Sequence, residues 1–285
     1  MPSSLALTNV VDLLDGRYPQ DTAEEWDAVG LVCGRPSAPV RRVLFAVDPD
    51  PAVVAEAIAW RADLIVTHHP LFLRPVHEVA ATGWKGRMIH DLIDSGIGLF
   101  CAHTNADVAV GGVNDALAVA LGLRATVPLS PSLSRSQRAV ATEGPPGLGR
   151  VGRLEHSESL SDFIDRVAAA LPTTRAGLRI AGDLQAPVET VAVCGGAGDS
   201  LLDAARLAAA DVYVTADLRH HLASDSRLSG GPALVDPGHW ASEWPWLPVA
   251  AKRLVDDAAA VGTTVDVAVS SVVTDPWSAH RPFDR

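Results

Sequence analysis

Six of the ten histidines in this 285-residue chain lie at four places where an apolar, β-rich run ends. Leu64-Ile65-Val66-Thr67 runs into His68-His69-Pro70. Gly98-Leu99-Phe100-Cys101-Ala102 runs into His103-Thr104-Asn105-Ala106-Asp107. Val212-Tyr213-Val214-Thr215 runs into Ala216-Asp217, with His220-His221 close behind. Leu234-Val235 runs into Asp236-Pro237-Gly238-His239, and Glu243 follows. Imidazole and carboxylate are ligands for Zn, Mn, Fe, Co and Ni, so metal binding is the chemistry these residue types offer. His239 and Glu243 are spaced i, i+4, and a helix starting after Gly238 would put both on one face, gripping one ion. His68 and His69 are adjacent and would point to opposite sides of a regular strand. A turn at Pro70 lets both reach one cavity, and two ions side by side suit such a pair better than one. Asp107 and Glu243 each have two carboxylate oxygens with which to bridge the ions. His103 is either a ligand or a partner that orients one.

Blander readings stand beside these. Any one of the histidines alone reads first as a hydrogen-bonded core or cap residue. His220-His221 also reads as the surface of a helix, and Asp217 as a helix N-cap before Leu218. The joint occurrence at four strand ends is what favours a metal site.

The elements that must position these residues alternate. Strand-like runs occupy residues 43–48, 62–69, 97–103, 190–195, 210–215, 233–236 and 265–270. Helical patterns lie at 51–61, 86–94, 113–121, 160–171 and 200–209. This alternation predicts an α/β fold with mainly parallel sheets, and continuous apolar strands imply burial on both faces. Ligands in such folds bind beyond the carboxyl ends of strands, where the histidines are. Residues 127–152 are rich in Pro, Ser, Gly and Arg and read as a domain junction. The expected division is a first α/β lobe of residues 1–126 and 235–285, with most of the ligands, and a second α/β lobe of 127–234.

Weaker motifs remain. Cys194-Gly195-Gly196-Ala197-Gly198-Asp199-Ser200 follows a strand and opens a helix. It is a phosphate cradle or, more simply, a tight turn, since Leu201 breaks a full glycine fingerprint. Glu25-Trp26-Asp27-Ala28-Val29-Gly30 reads as a turn that packs its tryptophan, with carboxylates able to face the site. Trp240, Trp244 and Trp246 read as core or interface residues, one of them available to stack on a ring-shaped substrate.

The formal charge of −11 argues against a duplex nucleic-acid partner, which needs Lys and Arg against phosphates. It leaves room for a small phosphorylated substrate, because bound cations supply local positive charge. No apolar run reaches the ~18 residues of a membrane span, and no signal peptide is expected. Three widely spaced cysteines read as reduced thiols of a cytoplasmic protein.

Together the motifs resemble a known family. The set comprises Glu25-Trp26-Asp27-Ala28-Val29-Gly30, Thr67-His68-His69-Pro70-Leu71-Phe72, His103-Thr104-Asn105-Ala106-Asp107 and Gly112-Val113-Asn114-Asp115. It continues with Val193-Cys194-Gly195-Gly196-Ala197-Gly198, the run from Asp211 to Asp217, and Gly238-His239-Trp240-Ala241-Ser242-Glu243. It is similar, over residues 8–277, to the dinuclear metal-centre proteins of the YbgI or Nif-three-like type. The resemblance implies two α/β lobes with a di-metal site in the cleft between them, and a toroidal homohexamer. It implies two divalent metal ions per chain, held by His68, His69, Asp107, His239 and Glu243. Further cleft residues fall at His103, Asp217 and His221, candidates for general acid or base. Members are often labelled type 2 GTP cyclohydrolase I homologues. The expected function is therefore a metal-dependent hydrolase acting on a small molecule, a nucleotide or similar phosphorylated heterocycle. The competing reading is a non-catalytic metal-binding, metal-delivery or regulatory partner-binding protein. The chain is too short for the long inserted domain of some members. Ala216 and Pro237 replace the residues usual before the aspartate and before Gly-His, departures expected to reshape the pocket.

Overall fold

The computed structural model describes residues 5–131 and 145–281. Its strands are β1 (Leu5–Ala6), β2 (Gly30–Cys33), β3 (Pro39–Val40), β4 (Arg42–Ala46), β5 (Leu64–Thr67), β6 (Gly98–Cys101), β7 (Arg124–Pro131), β8 (Gly147–Ser159), β9 (Arg179–Ala181), β10 (Pro187–Ala197), β11 (Val212–Ala216), β12 (Ala233–Asp236) and β13 (Asp266–Val269). Its α-helices are α1 (Leu7–Arg17), α2 (Pro51–Trp60), α3 (Trp84–Ser95), α4 (Thr104–Val108), α5 (Val113–Ala120), α6 (Leu160–Ala170), α7 (Leu202–Leu207), α8 (His220–Leu228), α9 (His239–Glu243) and α10 (Trp246–Ala260). By its internal contacts the chain forms two units. One is Met1–Ala106 with Leu247–Thr274; the other is Asp107–Trp246 with Asp275–Arg285.

The first unit is built on a five-stranded sheet of order β13-β4-β5-β6-β2. Its four leading strands are parallel and β2 is antiparallel at the edge. Leu64–Thr67 and Gly98–Cys101 are buried along their whole length, as strands covered on both faces must be. The helix after β4 is set by local chemistry. Asp50 accepts a hydrogen bond from the Ala52 N–H at 2.7 Å, and Pro51 occupies the first turn, where its missing N–H costs nothing. Arg61 then closes α2 in the left-handed conformation. Val53, Val54 and Ala57 of α2 pack with Met88, Ile89 and Leu92 of α3 onto Leu44, Ile65 and Leu99 of the sheet.

The second unit has a six-stranded sheet of order β7-β8-β10-β11-β12-β9. Here only β10–β11 and β11–β12 are parallel, and the remaining neighbours run antiparallel. Mainly parallel pairing thus describes the first sheet, and the second is mixed. The cause lies in the stretch expected to be a junction. Two parts of it belong to β7 and β8; β7 pairs with β8, and β8 with β10. Glycine, proline and arginine had hidden their strand character, while residues 132–144 lie outside the described residues. Ser159 caps α6 by accepting from the Asp162 N–H at 3.1 Å, and Phe163 and Val167 of that helix enter the core. Among the described residues no helix is long and apolar enough to cross a membrane.

Candidate metal centre

In the first unit His68, His69 and His103 converge. Their ring centroids lie 4.9, 5.1 and 5.5 Å apart, and one nitrogen from each falls within 4.8 Å of the others. Adjacency of His68 and His69 does not separate their rings, because the strand has already ended. The N–H groups of both residues donate to the Val47 carbonyl, at 3.1 and 2.9 Å. The Thr67 hydroxyl also closes back on the His69 carbonyl at 2.9 Å. This tight turn at the end of β5 breaks the alternation of an extended chain.

Each of the three rings has its Nδ1 engaged by an acceptor. Nδ1 of His68 donates to the Ala102 carbonyl at 3.0 Å, that of His69 to Asp48 at 2.6 Å, and that of His103 to Asp27 at 2.8 Å. A carbonyl or carboxylate can only accept, so the Nδ1 proton is fixed and the Nε2 lone pair is directed away from these partners. Asp27 has a fully buried side chain that also accepts from the Thr104 N–H and hydroxyl. Burial alone would raise its pKa, but the hydrogen bonds from His103 and Thr104 outweigh it and hold the carboxyl well below the usual range. Asp48 takes a second bond from the Thr274 hydroxyl.

In the second unit the cluster is Asp217, His239 and Glu243. Gly238, at φ +86°, turns the chain from β12 into α9, and the short helix presents His239 and Glu243 one turn apart. Nδ1 of His239 meets Asp217 at 2.7 Å, and its Nε2 lies 2.9 Å from the almost fully buried Glu243 carboxylate. Burial disfavours charge on this ring, yet Glu243 and Asp217 overcome it and push the pKa up to about 11. A proton on His239 is thus favoured by the carboxylates on either side of the ring. The pKa of Asp217 is lowered, chiefly by its hydrogen bond from His239.

The glycine motif serves this cluster. Its first glycines, Gly195 and Gly196, lie inside β10 at a register shift against β11, and the tight turn into a helix comes only at Gly198, before the short 3-10 helix Asp199–Leu201. Gly196 has φ +65°, and a Cβ there would stand 2.3 Å from Glu243 Oε1 and 3.0 Å from His239 Nε2. Ser242 locks the arrangement. Its hydroxyl accepts from the Gly196 N–H at 2.9 Å and donates to the His239 carbonyl at 2.7 Å. Asn114 links Asp107 to the same strand: its amide donates to the Asp107 carbonyl at 2.8 Å, and its oxygen accepts from the Gly195 N–H at 3.0 Å. The buried Cys194 thiol has its pKa raised by burial first, and then by the Asp107 and Glu243 carboxylates.

Imidazole and carboxylate in these proportions fit a divalent cation, and an acceptor on the far nitrogen is the arrangement that orients metal-bound histidine. Two sequence readings change. Asp217 is not a helix cap: at φ +54° it interrupts the chain, α8 starts only at His220, and its carboxylate orients His239. His221 is exposed on α8 beside His220, with ring centroids 5.2 Å apart, and belongs to neither cluster. Trp240 and Trp246 are buried in the protein. Asp48 was missed, although it ends the 43–48 run as the histidines end theirs.

A family model described as Duf34/NIF3 (NGG1p interacting factor 3) matches residues 5–276. A Streptomyces coelicolor protein named "GTP cyclohydrolase 1 type 2 homolog" is 50% identical over 274 residues, covering 96% of this chain and 94% of the relative. The Mycobacterium bovis protein of that name is 37% identical over 382 aligned positions, covering 99% of both chains. That alignment is longer than this chain, so the relative carries inserted sequence absent here. Among solved structures, a Bacillus cereus protein related to NIF3 superposes with a TM-score of 0.87 at 29% identity, covering 96% of this chain and 98% of that one.

Proposed function

The chain belongs to the Duf34/NIF3 family, and we propose that it binds two divalent metal ions through His68, His69, Asp107, His239 and Glu243. We infer further that it is a metal-dependent hydrolase of a nucleotide-like or phosphorylated heterocyclic substrate. The observation that carries the metal reading is the Nδ1 pattern. The three proposed histidine ligands, His68, His69 and His239, each direct Nδ1 at a fixed acceptor, as metal-bound imidazoles do. The substrate class is supported by the relatives' name, GTP cyclohydrolase 1 type 2 homolog.

A pair of divalent cations, when bound, supplies Lewis-acid polarisation of a substrate oxygen and lowers the pKa of water. The chain's own residues do the rest. His103 is the proton-transfer group: Asp27 holds its Nδ1 proton, so Nε2 takes a proton and returns it. Asp217 keeps His239 in one tautomer. We also propose a homohexamer of the 29.8 kDa chain, which light scattering on the purified protein would test.

The test of function pairs metal analysis with a nucleotide panel. Protein saturated with Mn or Zn should hold two ions per chain and hydrolyse a member of the panel, and His69→Ala should abolish both. Two bound ions with no turnover, together with transfer of metal to an apo-acceptor, would instead favour a metal-delivery role. Turnover that survives His69→Ala would contradict the hydrolase reading.

A further inference from the structure

An aromatic side chain stands against the histidines without being packed into the protein. Trp26 is 59% exposed, whereas Trp240 and Trp246 are 5% and 0% exposed. Its ring centroid lies 6.0 Å from that of His103, with the planes at 79°. A tryptophan that served only packing would bury its large apolar face. The loop that carries Trp26 is nevertheless firmly held. Asp27 is anchored by His103 and Thr104, the Glu24 N–H donates to the Thr104 hydroxyl at 2.9 Å, and the Asp27 N–H donates to the Glu24 carbonyl at 2.9 Å. The same carboxylate therefore orients His103 and anchors the loop that carries the indole beside it. The exposed ring thus stands beside a histidine of the site on an anchored loop.

We propose that Trp26 is the stacking platform for the planar ring of the substrate, and so a specificity-determining residue that selects heterocycles over other phosphorylated compounds. This rests on the nucleotide-hydrolase reading above and adds to it the residue that recognises the ring. Every base offers a π-face, so the platform sets ring against no ring and leaves the identity of the base to other contacts.

The experiment measures equilibrium binding of ATP, GTP and inorganic tripolyphosphate to the full chain by calorimetry, for wild type, Trp26→Ala and Trp26→Phe. Trp26→Ala should weaken both nucleotides by about tenfold to a hundredfold. Tripolyphosphate, which has no ring, should bind the variant as it binds wild type, with metal per chain unaltered. Trp26→Phe should recover most of the nucleotide affinity, since it restores a π-face. Equal nucleotide affinity in Trp26→Ala and wild type would overturn the platform, whether or not the variant's oligomeric mass changes. An equal loss for tripolyphosphate would overturn it too, since the residue would then be acting on the site as a whole. Wild type that binds neither nucleotide would defeat the nucleotide reading, and the platform with it. That failure is distinguishable because it occurs before any substitution is made.

Discussion

The two ligand clusters use the same side chains in opposite proportions. In the first unit three imidazoles face one another, and the carboxylates of Asp27 and Asp48 stand behind them on Nδ1. In the second unit one imidazole lies between two carboxylates, with Glu243 on Nε2 and Asp217 on Nδ1. The difference is one of charge. Three imidazoles hold their geometry through the acceptors on their Nδ1 atoms. Two carboxylates around one ring call for positive charge, and the metal-free chain meets that by protonating His239. The first cluster is thus ordered by hydrogen bonding, and the second by electrostatics.

The contrast is broken most severely by removing a ligand from the charged cluster. Glu243→Gln should weaken metal binding by more than about a hundredfold, beyond the range typical of partners that only orient ligands. Metal analysis after dialysis against a weak chelator would show it. Gly196→Ala comes next. The added methyl meets Glu243 Oε1 at 2.3 Å and the backbone is left-handed, so about 1–3 kcal/mol of stability should be lost in urea unfolding. Metal content should fall with it, while the NMR signals of the His68, His69 and His103 rings stay in place.

Asp48→Asn and Asp27→Asn probe the three-histidine cluster. Asp48→Asn weakens the acceptor on the proposed ligand His69 and should cost about 10–100-fold in metal affinity with the fold intact, whereas Asp27→Asn acts on His103 and should lower turnover with metal content unchanged. The pH dependence separates the clusters again. His239 has its folded-state pKa raised from 6.5 to about 11. Its protonated form therefore stabilises the metal-free protein fully below about 6.5, and that contribution is lost as the pH rises toward about 11. Urea midpoints of metal-free protein should fall through this window, and Glu243→Gln should flatten the change. A metal must displace the same proton, so its affinity should rise with pH over that range. The smallest effect belongs to Thr274→Val, which removes one hydroxyl from Asp48. About 0.5–1.5 kcal/mol is at stake, read as a few-fold change in metal affinity.

The histidine-bearing strand ends were legible because the signal is local. Apolar runs that stop at His68-His69, His103 and Gly238-His239 state both the element and where it ends. The i, i+4 pair was legible for the same reason, since helical spacing alone fixes it. What escaped depends on contacts distant in sequence. Nothing near His69 announces Asp48, twenty-one positions away, and nothing near Gly196 announces that Glu243 would collide with a side chain there. Asp217 misled because a carboxylate before a helix is ordinarily a cap. Its left-handed backbone delays the helix and frees the side chain for His239. The β7–β8 pair escaped because its glycines, prolines and arginines have the composition of a linker, and pairing with a neighbour, rather than propensity, makes them strands.

The most direct test is anomalous diffraction at the metal edge from crystals of the chain saturated with Zn or Mn. The account predicts two peaks per chain, coordinated by His68, His69, Asp107, His239 and Glu243, with Asp27, Asp48 and Asp217 behind the histidines. Fewer than one ion per chain, or ions held by other residues, would contradict it.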